Sequence, residues 1–148
     1  MKKKVDIYPM PSFPSLLARD LRRSRDFYVE TLGFLHVFSM PGQDGRPVLE
    51  HVRFCRYADV LLQQAETDLK IHPGNGITIT FSATLAGRTC DQIAEQVRKS
   101  NGRVEGPVER PWNVREVRVT DPDGYVLLFV EPLDINKSMD DVMTDVSR

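Results

Sequence analysis

Few side chains in this sequence could bind a metal or move a proton, and they are scattered. A divalent cation needs imidazole nitrogen or carboxylate oxygen. The natural candidates are the three histidines, His36, His51 and His72, with Glu50 and Glu131. Their spacing gathers no such site. His72 lies in a polar stretch beside Pro73, and His36 and His51 fall on separate predicted strands. The histidines are therefore read as surface or edge residues. Cys55 and Cys90 have no CxxC spacing and are too few for a disulfide framework. They read as reduced thiols partly in the core. Glu116 and Arg118 are two apart on a predicted strand, so they share a face. Such a pair can act as a base beside an anion holder, or simply as a salt bridge.

The elements that position these groups belong to one ordinary α/β domain. The chain has 148 residues, 41% apolar and 28% charged, with a net charge of −1. That balance argues against a nucleic-acid partner, which needs a basic face, and against an anionic membrane surface. No apolar run approaches the roughly 20 residues of a membrane helix. The start, Met-Lys-Lys-Lys, is followed by a stretch holding Asp6 and several prolines. A signal peptide needs an unbroken apolar segment there, so the expectation is a mature, cytoplasmic chain.

Two similar halves are expected. Residues 12–19 lead into Asp20, an N-cap, after which Leu21, Ser24, Tyr28 and Leu32 recur at helical spacing until Gly33. Strands are predicted over 34–40, 48–57 and 59–64, and a linker over 65–76. The second half opens with a strand over 76–83. A capping box at Thr89–Gln92 starts a helix that buries Cys90, Ile93, Ala94 and Val97 and stops at Gly102. A short strand from Val104, a proline-containing loop to Trp112, and strands over 115–120 and 125–131 complete it. The simplest account is an α+β fold of two tandem βαβββ modules, 12–64 and 76–132, within a single domain. One helix cannot cover both faces of four strands, so the pair should form a curved sheet enclosing a cleft. Residues 133–148 read as a tail, with a short helix from Ser138.

Two segments carry a family resemblance. One holds Asp20, Ser24, Phe27-Tyr28 and Leu32-Gly33-Phe34. The other runs from Arg115 through Asp121-Pro122-Asp123-Gly124 to Tyr125. Together they resemble the glyoxalase/bleomycin resistance/dioxygenase, or vicinal oxygen chelate, superfamily. The likeness spans about 12–132. It implies a metal in the cleft of the enzymatic members. It also implies where the ligands would stand: Phe13, seven residues before Asp20; Thr78, three before Phe81; and Leu128, four after Gly124. None of these is a metal ligand, so no metal or other cofactor is expected.

With those positions facing inward, strand alternation adds Ser15 and Thr80 to the cleft face. If Val117 and Val119 pack beneath the helix, Glu116 and Arg118 turn toward the cleft. Trp112 forms its lip, and Phe38 and Phe54 are aromatic candidates from the first half. The segment around Trp112 is similar to the bleomycin-resistance branch, which implies a homodimer that binds a small molecule unchanged. The competing expectation is a divergent metal-dependent lyase or dioxygenase.

Overall fold

A computed structural model describes residues 4–73 and 76–148. Residues Met1–Lys3, and Gly74 and Asn75 of the linker, lie outside the described residues. The chain divides into two compact units, Met1–Ile71 and His72–Arg148.

The first unit holds β1 (Ser15–Ala18), α1 (Leu21–Asp26), β2 (Leu35–Pro41), β3 (Pro47–Cys55) and β4 (Ala58–Gln64). Asp20 caps α1, its carboxylate accepting from the Arg23 amide. The helix then widens into a π-helical stretch, Phe27–Thr31, in which the Leu32 amide bonds to the Phe27 carbonyl at 2.9 Å. Gly33 takes φ +73°, which a side chain would resist, and turns the chain into β2. The sheet order is β1-β4-β3-β2, with β1 parallel to β4 and the other pairs antiparallel. One face takes the helix. There Tyr28, Leu32, Val52, Val60 and Leu62 are fully buried, and the rings of Tyr28, Phe34 and Phe54 meet in series at 5.3 and 5.1 Å.

The second unit repeats the plan with β5 (Thr78–Ser82), α2 (Cys90–Lys99), β6 (Arg103–Arg110), β7 (Val114–Thr120) and β8 (Val126–Pro132), in the order β5-β8-β7-β6. The capping box at Thr89 and Gln92 is formed on both sides. Cys90, Ile93, Ala94 and Val97 are fully buried against Val117, Val119, Leu127 and Phe129, and the Phe129 ring stacks on Phe81 at 5.3 Å. The helix does not stop at Gly102. Asn101 takes the left-handed position at φ +56°, a conformation Asn tolerates. The expected short strand and proline loop are instead one strand, β6, running to Arg110. A register shift between Glu105 and Val108 lets it pass Pro107, which has no amide to donate. Gly106 sits in that bulge at φ +91°, where a Cβ would lie 3.0 Å from the Glu116 carbonyl. The C-terminal stretch carries α3 (Met139–Val146), capped by Ser138 and anchored by Val142. Among the described residues no helix is long and apolar enough to cross a membrane.

Phe129→Ala removes a fully buried ring and is expected to cost about 3–5 kcal/mol. Thr89→Ala removes a cap and should cost about 1 kcal/mol. Urea unfolding measures both.

Candidate functional site

Each unit packs its helix on one face of its sheet. In the second unit the register places Thr78 beside Val126 and Thr80 beside Leu128, with Arg118 across from Leu128. These residues share the face opposite α2, because Val117, Val119, Leu127 and Phe129 point into the helix-side core. Glu116 lies on the same face, next to Val108 and Val130. Its carboxylate does not stand with Arg118. It accepts a hydrogen bond from Arg110 Nε at 2.6 Å, and that guanidinium lies 5.8 Å from the Trp112 ring, which is 49% exposed. Trp112, Arg110 and Glu116 thus form one cluster beside a row of hydroxyl and aliphatic groups. Glu131 points the other way, accepting from the Cys90 amide on the helix side.

The first unit presents Ser15, Leu61, His51 and Phe38 on one face by the same register. Phe13 precedes β1 and is 46% exposed. Phe54 corrects the expectation for that position. It has the parity of buried Val52 and packs against Phe34, so it belongs to the core and not to the open face. A β-bulge between His36 and Phe38 keeps Phe38 on the open side, where its ring meets His51 edge-on at 5.1 Å.

His72 is exposed and His36 stands on the edge strand β2, as expected, whereas His51 is buried. His36 Nε2 lies 2.7 Å from Glu50, a buried carboxylate on the helix side that also accepts from Ser39. His51 is buried on the open face and donates from Nε2 to Asp59 at 2.5 Å. Arg53 grips the same carboxylate through Nε and Nη2, both at 2.8 Å. That bond to Asp59 raises the Arg53 pKa above its ordinary value despite burial. Sequence reasoning missed this cluster. In β3 the polar residues occupy both rows, Glu50 on one face and His51 and Arg53 on the other, so alternation by itself marks neither face as the functional one.

The thiols offer no nucleophile. Cys90 donates to the Arg115 and Phe129 carbonyls, and burial, reinforced by Glu131, pushes its pKa up to about 11. Burial likewise raises Cys55, which is half-buried.

The chain belongs to the Glyoxalase/Bleomycin resistance protein/Dioxygenase superfamily, whose sequence profile matches residues 13–129. Solved structures share the fold. A glyoxalase/bleomycin resistance protein from Streptomyces sp. CB03234 is 27% identical, with a TM-score of 0.60 over 80% of this chain and 97% of its own. TnmS3, an antibiotic binding protein from the same organism, is also 27% identical, with a TM-score of 0.58 over 86% and 98%. A lactoylglutathione lyase from Agrobacterium tumefaciens, at 21% identity and a TM-score of 0.60 over 83% and 94%, is alike in fold. No curated protein matches the sequence significantly.

For the family's enzymes the resemblance implies divalent-metal ligands at the positions of Phe13, Thr78 and Leu128, and the residue types at those positions do not fit an ion. Phe13 and Leu128 carry no donor atom, and the Thr78 hydroxyl is a weak one. Within either unit, among the described residues, no three His, Cys, Asp or Glu side chains are grouped to hold an ion.

Asp59→Asn leaves the Arg53 charge buried without its counter-ion. It should destabilise the fold by about 3–5 kcal/mol in urea unfolding. Arg53→Met combined with Asp59→Leu should recover most of that loss.

Proposed function

We propose that this protein binds a flat or amphipathic small organic molecule on its open sheet faces, without a metal and without changing the molecule chemically. The observation that carries the reading is the chemistry at three positions. By the family resemblance, Phe13, Thr78 and Leu128 stand for the donors of metal-dependent relatives, and they offer an aromatic ring, a hydroxyl and an aliphatic chain. A surface of that kind holds a ligand by stacking and a few polar contacts. Phe38 and Trp112 supply the exposed rings. Ser15, Thr80, Glu116 and Arg118 supply the polar contacts. The likeness to an antibiotic binding protein supports the same class of ligand. The working form is a homodimer in the cytoplasm.

Calorimetric titration with bleomycin and with planar aromatic ligands tests the reading, with mass spectrometry of the recovered ligand. The expected outcome is saturable heat with at least one ligand, recovered at unchanged mass. Trp112→Ala should weaken that binding about tenfold, as loss of an exposed anchoring ring does. Absence of heat with every ligand, alongside metal-dependent turnover of one of them, would refute it. Sedimentation equilibrium at twice the chain mass is the result expected for the dimer, and a monomer at all concentrations contradicts it.

A further inference from the structure

The segment before β1 is tied down more firmly than an exposed terminus requires. Arg53 Nη1 donates to the Asp6 carbonyl at 2.7 Å, and the guanidinium lies over the Tyr8 ring at 4.3 Å. The Tyr8 hydroxyl accepts from the Tyr57 amide at 3.0 Å, and the two rings meet edge-on at 5.1 Å. Tyr57 has φ +65° in the turn between β3 and β4. That conformation is strained for a bulky side chain, and such strain persists where surrounding contacts enforce it, commonly at binding sites.

Beneath this segment lies a cavity of about 320 Å³, lined among others by Lys4, Asp6, Tyr8, Leu35, Arg53 and Arg56. Its volume sits at the lower end of the range for ligand sites. The charges in it are unequal. Arg53 is balanced by Asp59, and its remaining bond goes to the Asp6 backbone. That leaves Lys4 and Arg56 against the single Asp6 carboxylate, a surplus of one positive charge. The Arg56 guanidinium lies 5.1 Å from the Tyr8 ring and 4.9 Å from the Tyr57 ring. Its Nη2 reaches the Tyr57 hydroxyl at 3.2 Å, so the fork is held in place with other N–H groups left to donate. Leu35, 49% exposed, gives the cavity an apolar wall.

We propose that this cavity, at the Arg53 end of the first unit's open face and lined by none of the residues assigned above to the aromatic ligand, is a second binding site for a small monocarboxylate with an apolar body. Arg56 and Lys4 receive the carboxylate, and Leu35 meets the body. Asp6 disfavours dianions.

The probes are benzoate and isovalerate, titrated to roughly 10 mM into the full-length protein, above the dissociation constant expected of ligands this small. Amide chemical shifts are followed by NMR. The expected result is saturable shifts at Asp6, Tyr8 and Tyr57 with at least one probe. Benzamide should bind about tenfold more weakly or worse, and Arg56→Gln and Lys4→Gln should each weaken binding by a similar factor. Both substitutions are at the surface, so an unchanged spectrum without ligand verifies the fold. Saturable shifts centred instead on Thr80 and Leu128, benzamide binding as well as benzoate, affinity kept within twofold in both variants, or no saturable shifts with either probe would each overturn the proposal. These outcomes are independent of whether Phe38, Trp112 and the hydroxyl row bind an aromatic ligand.

Discussion

A single helix can shield one face of a four-stranded sheet and no more, and each half of this chain has a single helix packed on its sheet. The helix-side faces are filled accordingly. Fully buried aliphatic and aromatic residues stand behind α1 and α2, and the two caps at Asp20 and Thr89 fix where those helices begin. The other faces carry no such helix layer, and they mix exposed residues with buried ones, among them His51, Arg53, Asp59 and Val126. The same division of labour explains why members of one family vary so widely in chemistry on a common scaffold.

The first unit uses that freedom in an unusual way. Asp59, His51 and Arg53 form a buried ionic cluster on the open face. Buried ion pairs are poor stabilisers, because desolvation offsets their attraction. What the cluster does well is hold geometry. Asp59 fixes the Arg53 fork, and the fork's remaining nitrogen and its flat face then hold Asp6 and Tyr8. One residue on β3 therefore organises both the open face and the segment that precedes β1.

Much of this was legible from the residue pattern. The helix faces, the capping box, the Gly33 turn and the assignment of Val117 and Val119 to the core all follow from periodicity, and the register confirms the shared face of Thr78, Thr80 and Leu128. The parts that were not legible have physical causes. The residue pattern does not separate Phe54 from the open face, because β3 has polar residues in both rows and offers no clean alternation. The residue types suggest a short strand from Val104 and a proline loop in place of β6, because they do not reveal the bulge that absorbs Pro107. Asn101 displaced Gly102 at the helix end because both tolerate positive φ. The His51–Asp59–Arg53 cluster and the Arg110–Glu116 bond depend on cross-strand register, which a one-dimensional reading does not contain.

The proposed reading has this chain recognise its ligand with rings, hydroxyls and a few fixed charges, and not through a cation. Stripping the protein with a chelator and repeating the ligand titration, then adding back nickel, zinc, iron or manganese, tests it most directly. The account predicts the same affinity in every state and no stoichiometric metal by elemental analysis of the protein as purified. One tightly held ion per chain, with ligand binding that disappears on chelation and returns with the metal, would contradict it.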